Sequence, residues 1–309
     1  MKKYSKFVLL NIIFIIAFNS FPTYRISKAE TSPTHLTIDS FNKPILPRNF
    51  RKSSDKINNP PASLNLNGLN TLNISGSSQF SEEPLKLVRE AIGRNIPITV
   101  IDLRQESHGF INGMAVSWSN DKNNGNMGLT KEQVIVDENN KLNSIPLNKP
   151  ITFYNHPNEV IVPTIVENEN KLVASQSMNY IRIPVTDGKL PTNDMVDYFI
   201  ESINLLPKNI WLHFHCKAGI GRTTTFMVMY DMMKNYNKVS AEDIIKRQVL
   251  LAGFSPKTSA SFYSKERIDF LNKFYKYCKE SNNFKVKWSQ WNKDNQGITI
   301  NFNEDYKVS

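Results

Sequence analysis

The chain has 309 residues, with 38 Lys and Arg against 28 Asp and Glu, and a formal charge of +10 at neutral pH. That length buries a full core, either as one large domain or as a main domain with a smaller companion. Five of the cations, Lys2, Lys3, Lys6, Arg25 and Lys28, fall in the first 29 residues with no acid among them, which leaves +5 for the rest; no dense basic stripe marks a nucleic-acid binder, whereas an anionic small molecule suits this balance.

Lys2, Lys3 and Lys6 precede an apolar run from Phe7 to Phe18, too short to span a bilayer and shaped like a secretory signal peptide. Ser27-Lys28-Ala29 offers a small-x-small cleavage site before Glu30, so residues 1–29 are expected to be removed. The mature chain is then secreted, extracellular or periplasmic, without stable membrane association. Residues 30–62 are rich in Ser, Thr, Asn and Pro without a period and predict an irregular arm, in which "LPRNFRK" carries Arg48 and Arg51. "FSEEPLKLVREAIGRN" predicts an amphipathic helix from a Ser81 start, with Leu85, Val88 and Ile92 on one face. "PITVIDLR" predicts a buried strand with Asp102 and Arg104 at or near its exit.

From 120 to 177 the texture changes to Asn and Gly runs and short β-rich pieces, "QVIVD", "ITFY" and "EVIVPTIV". They predict an inserted β-rich subdomain, with part of "TIVENENKLVASQ" open to a helical reading. Next come a strand in "NYIRIPV", a helix capped by Thr192 with Met195, Phe199, Ile203 and Leu206 in phase, and a buried strand in "NIWLHFH". "RTTTFMVMYDMMKN" reads as helix, Ser240 with Asp243 opens another, "KERIDFLNKFYKYCKE" forms a last one, and residues 286–309 read as a polar tail. The order predicts an α/β fold whose main domain comprises 63–119 and 178–285, a central sheet flanked by helices.

The chemistry concentrates in "LHFHCKAGIGRTTTF", which holds one of the two cysteines, Cys216 and Cys278. A strand ends at His215, a tight loop runs through Cys216, Lys217, Ala218, Gly219, Ile220 and Gly221, and a helix begins near Arg222. Glycines let successive N–H groups turn inward, and the helix start adds unpaired amides and positive potential, so the loop is a cradle for phosphate. The same field favours the thiolate of Cys216. Arg222 has the planar fork to bind two phosphoryl oxygens, Thr223 can donate to the sulfur when it leaves, and His215 can fix the loop. Other uses fit less well: "GIGRTT" lacks the GxxxxGK[ST] order of nucleotide loops, His213 and His215 lack a second ligand cluster at zinc spacing, and no CxxC partner supports redox work. Cys278 reads as a structural helix residue.

"HCKAGIGRT" resembles the HCxxGxGRT/S signature of the cysteine-dependent protein-tyrosine-phosphatase superfamily. With "IDLRQESHGFINGMAVSW" and "TDGKLPT", the chain is similar to the bacterial tyrosine-phosphatase-like phytases, or inositol polyphosphate phosphatases. That resemblance implies a phosphatase fold, a small partial β-barrel beside it, secretion, and no metal or other cofactor. It makes Asp187 the general acid in the position of the family's mobile loop, with Asp194 as the alternative, explained equally by its place in a first helical turn. The family's histidine after the acid is replaced here by Gly188, so Lys189 is the candidate for that contact. Arg48, Arg51, Asp102, Lys257 and Lys265 align with substrate-binding or active-site positions of the family. For Asp102 the alternative is a strand-end partner of Arg104, for the two arginines a solvated loop. Gln248 could order the hydrolytic water or simply pack its helix. The function implied is hydrolysis of inositol polyphosphates such as phytate through a phosphocysteine. A protein-tyrosine or phosphoinositide phosphatase, as a secreted effector, is the alternative enzyme, and a catalytically silent anion-binding module the non-enzymatic one.

Overall fold

The computed structural model describes residues 32–295. The signal-peptide reading of residues 1–29 and the end of the tail, 296–309, lie outside the described residues. In chain order the elements are β1 (His35–Ser40), β2 (Arg51–Lys52), β3 (Ile74–Ser78), α1 (Glu82–Ile92), β4 (Ile98–Arg104), β5 (His108–Ile111), β6 (Met114–Ser119), α2 (Lys131–Asn143), β7 (Ile151–Phe153), β8 (His156–Ile161), β9 (Val166–Glu167) and α3 (Glu169–Ser175). There follow β10 (Asn179–Val185), α4 (Asn193–Leu205), β11 (Trp211–Cys216), α5 (Gly221–Asn235), α6 (Ala241–Ala252), α7 (Pro256–Phe262), α8 (Lys265–Glu280) and α9 (Trp288–Asp294). None of the described helices is long and apolar enough to cross a membrane.

The predicted α/β architecture is present. β10, β4, β11 and β3 run parallel in the order β10-β4-β11-β3, and β2 closes one edge antiparallel. β3, β4 and β11 are buried along their whole length, as expected for parallel strands covered on both faces. Their side chains alternate between two cores: Ile101, Leu103, Leu212, Phe214 and Cys216 join the core under α4, α5, α6 and α8. Ile98, Val100 and Trp211 join the core under α1 and α3. This period of two decides the site, because it sends Cys216 towards α5 and the adjacent His215 to the opposite face. α5 is buried on nearly every side, which its apolar "FMVM" run permits.

A second, antiparallel sheet has the order β1-β6-β5-β9, and β7 pairs with β8 as a hairpin. Its strands come from residues 35–40 and 108–119 more than from the 120–177 stretch. The arm is therefore not irregular throughout: alternating Leu36, Ile38 and Ser40 let β1 pair with β6. "QVIVD" is helical, not a strand. Thr130 and Gln133 form a reciprocal capping box, and Val134, Glu138 and Leu142 are buried at a four-residue spacing while Ile135 and Val136 face outward. The tail reading of 286–309 also fails at its start, where Trp288 and Trp291, three apart on α9, pack on Phe270, Phe274 and Tyr277. Ser81 and Thr192 occupy helix N-caps without side-chain cap bonds; Ser81 instead ties the start of α1 to the antiparallel sheet, donating to Ser40 O of β1 and accepting from Ala115 N of β6.

Candidate active site

The loop between β11 and α5 is shaped from outside. The carbonyl of Lys217 accepts from the Gln79 amide at 3.3 Å, that of Ala218 from Asn49 Nδ2 at 2.8 Å, and that of Gly219 from Arg51 Nη1 at 2.9 Å. A trans peptide opposes its N–H to its C=O, so outward carbonyls turn the next amides inward. The Gly219 amide accordingly reaches Cys216 Sγ at 3.3 Å. Gly219 has φ +73°, and a Cβ there would lie 2.3 Å from Ser78 N and 2.4 Å from Ser77 C, so no other residue fits without backbone movement. Thr223 Oγ1 donates to Cys216 Sγ at 3.1 Å, so two donors converge on the sulfur beside the N-terminus of α5.

Arg222, also on the first turn of α5, is buried and faces Glu106 with Nη1 and Nη2 at 2.7 and 3.0 Å. Its Nη2 also lies 3.1 Å from Asp187 Oδ1, on the loop after β10. Burial opposes the Glu106 charge, but Arg222 and Arg104 outweigh it and hold this carboxyl well below the usual carboxylate range. Arg104 extends the chain of charges to Asp39 of β1 at 2.9 Å, and Asp39 meets Lys217 at 3.3 Å. Lys217 of the loop and Arg222 of the following helix are thus joined through the buried Asp39, Arg104 and Glu106. Glu106 was missed as a functional residue; it lies in the quoted "DLRQES", and the sequence signal was an acid two residues beyond a predicted strand.

Behind the loop, His215 pairs in register with Asp102, and its Nε2 lies 2.6 Å from Glu169 Oε1 of α3 and 3.8 Å from Asp102 Oδ1. His108 Nε2 is 3.2 Å from both Asp102 and Glu169. Burial disfavours its cation, yet chiefly Asp102 raises its pKa to about 9. His213 bonds Ser75 and Ser77, and burial, reinforced by the neighbouring His215, pushes it down to about 3. Asp102, Glu169 and His215 bring one potential ligand atom each within 4.8 Å of one another. His108 and Arg182, both against Asp102, already supply opposing charge there.

The sequence-predicted residues divide accordingly. Cys216, Lys217, Ala218, Gly219, Ile220, Gly221, Arg222, Thr223 and Asp187 meet around one cup. Asp102 is not a substrate contact: it is fully buried, bonded by Tyr180 at 2.6 Å and by the Arg104 amide at 2.9 Å. Arg51 is also buried, its guanidinium spent on Asn49 O, Gly219 O and Thr224 Oγ1, because it braces the loop from behind. Arg48 is exposed and lines a cavity of about 470 Å³ with Lys217, Asp39, His35 and Tyr154. Gly188 and Lys189 are exposed on the acid loop, where Gly188 takes φ +70°. Lys257 is exposed on α7, and Lys265 is exposed and paired with Asp269 at 2.6 Å. Arg267, two residues on, is the cation beside the loop: its Nη2 is 3.6 Å from where a Cβ on Gly221 would stand. Gln248 packs its helix, donating to buried Asp231 at 2.8 Å, and Asp194 is an exposed first-turn residue of α4.

A parallel-sheet α/β fold that presents a cysteine in an amide-lined loop, with an arginine on the following helix and an aspartate across from it, defines the cysteine-dependent phosphatases. The comparisons narrow the class. The PTP-like phytase family model, described as inositol hexakisphosphate, matches residues 126–234. The structure of a PTP-like phytase from Bdellovibrio bacteriovorus is 35% identical at a TM-score of 0.71, covering 85% of this chain and 96% of that one. The PTP-like myo-inositol phosphatase from Mitsuokella multacida, in complex with myo-inositol-(1,3,4,5)-tetrakisphosphate, is 33% identical at a TM-score of 0.75, covering 86% of this chain and 50% of that one. Effector protein hopD2 of Pseudomonas syringae pv. tomato is 28% identical over 262 residues, 78% of this chain and 56% of its own length. The chain therefore spans about half the length of these last two relatives. It belongs to the PTP-like phytase family.

Proposed function

We propose that the protein hydrolyses phosphomonoesters of inositol polyphosphates through a phosphocysteine. The observation that carries this reading is the convergence on Cys216 Sγ of the Gly219 amide and Thr223 Oγ1, with Asp187 and Arg222 3.1 Å apart at the same cup. The sulfur attacks phosphorus while the loop amides and Arg222 hold the three peripheral oxygens, and the bond from phosphorus to the ester oxygen breaks. Asp187 gives its proton to that departing oxygen. As a carboxylate it then takes a proton from the water that attacks the phosphocysteine, which releases phosphate and returns the sulfur anion to the Thr223 hydroxyl. An inositol polyphosphate is the substrate favoured by the 35% identity to the Bdellovibrio phytase across 96% of that chain, and by the exposed Arg48 beside Lys217. The Lys-rich, apolar leader supports export of the enzyme.

The similarity to effector protein hopD2 favours a second reading, a phosphatase of phosphotyrosyl protein or phosphoinositide acting as a secreted effector. Rates measured side by side on inositol hexakisphosphate and on a phosphotyrosyl peptide separate the two. The proposal requires the higher kcat/KM on the inositol phosphate; the opposite order replaces it with the second reading.

A further inference from the structure

Asn123 lies in the "SNDKNNGNMG" loop after β6, and it is almost wholly buried. Its Nδ2 donates to Asp187 Oδ2 at 2.8 Å and to Glu106 Oε1 at 2.9 Å, and Lys217 Nζ approaches its Oδ1 at 3.4 Å. One amide thus touches the proton donor, the carboxylate that holds Arg222, and the second residue of the phosphate loop. These partners differ in what else they have. Glu106 keeps Arg222 and Arg104, and Lys217 keeps Ser119 and Asp39. Asp187 Oδ1 has Arg222 and the Gly188 amide, but among the described contacts its Oδ2 rests on Asn123.

We infer that Asn123 is the positioning residue for Asp187. The inference rests on the assignment of Asp187 as proton donor in the proposed reaction. A bound phosphoryl group draws the Arg222 guanidinium to its own oxygens, which removes one of the two side-chain contacts of Asp187. Asn123 remains, and an amide suits both states of the acid: its NH₂ donates to the carboxylate, and its carbonyl, on rotation, accepts from the protonated form. The loop around it is braced for the purpose. Asn126 donates to Gln105 O and Ser107 Oγ, and Gln105 accepts from Thr186 Oγ1, the neighbour of the acid. Asn123 has φ +50°, a backbone that Asn tolerates better than most residues.

The test uses the full-length enzyme and two substrates. Inositol hexakisphosphate has an alkoxide leaving group that needs a proton; p-nitrophenyl phosphate has a leaving group that scarcely does. Asn123→Gly keeps the backbone conformation and removes the amide. It is expected to lower kcat on inositol hexakisphosphate about tenfold to a hundredfold, with a markedly smaller loss on p-nitrophenyl phosphate. Asn123→Asp, of the same shape but with a carboxylate facing Asp187, is expected to shift the ratio of the two rates in the same direction, which keeps the test alive if the glycine variant folds poorly. Combined with Asp187→Asn, the loss from Asn123→Gly should largely vanish. Equal losses on both substrates, or losses that multiply in the double variant, overturn the inference. A wild-type enzyme inactive on both substrates would instead overturn the proposed function.

Discussion

Glu106 and Arg222 form a two-pronged ion pair at 2.7 and 3.0 Å, buried below the phosphate cup. Glu106 also accepts from Arg104 Nε at 2.8 Å and from Asn123, so its carboxylate neutralises two buried guanidiniums. Glu106→Gln keeps the shape but leaves these cations under-compensated. Breaking such a pair from one side costs about 3–5 kcal/mol of stability. Urea unfolding should register that loss, and kcat/KM should fall at least about tenfold as Arg222 loses its fixed aim.

Gly219→Ala tests whether the loop is as tightly specified as its contacts demand. The new methyl must carry φ +73° and meet the Ser77–Ser78 backbone at 2.3–2.4 Å, where no flexible side chain can give way. Left-handed strain of about 1–2 kcal/mol and overpacking of about 1–3 kcal/mol act together. The variant should unfold at lower urea and lose about a hundredfold or more in kcat, because the amide to Cys216 moves.

The buried pair of His108 and Asp102 predicts a pH dependence of stability. The folded-state pKa of His108, raised to about 9 from 6.5, means the folded protein binds this proton more tightly than the unfolded chain. Its contribution is complete below 6.5 and is lost as pH rises through 9, amounting to about 3 kcal/mol at most. Denaturation midpoints of the wild type should fall across that window, and His108→Gln should flatten the fall. An unchanged slope in the variant would remove His108 as the cause.

Much of the fold was legible because it depends on signals close in sequence. The strand at "PITVIDLR", the helix after "GIGR" and the loop between strand and helix all follow from runs of a single period. What escaped depended on distance. "QVIVD" is the exception: it looks like a strand by β-branching, while a local signal, the Thr130–Gln133 capping box, marks the helix. Glu106 and Asn123 are ordinary polar residues in sequence, and they acquire roles only when β4 and the loop after β6 bring them to Arg222 and Asp187. Arg51 reads from sequence as a substrate contact or a solvated cation, and neither reading anticipates a burial that requires β2 to pair with β3. Lys265 missed by two residues, less than one turn of α8, which suffices to exchange an exposed side chain for Arg267 at the loop.

Arg267, half-buried and fixed by bonding Phe262 O at 2.9 Å, stands at the rim of the cup, whereas Lys265 is solvated. Arg267→Ala should raise KM for inositol hexakisphosphate about tenfold with little change in kcat, and Lys265→Ala should change neither beyond about twofold. Steady-state kinetics of the two variants in parallel decide between the positions.

In the proposed reaction the sulfur of Cys216 carries the phosphoryl group. Wild-type enzyme mixed with inositol hexakisphosphate, quenched in acid during the first turnover and analysed by peptide mass should carry one added phosphoryl group on the peptide containing Cys216. Cys216→Ser should show neither that adduct nor phosphate release. Phosphate released by the wild type with no adduct on Cys216, together with full turnover by Cys216→Ser, would rule out the phosphocysteine.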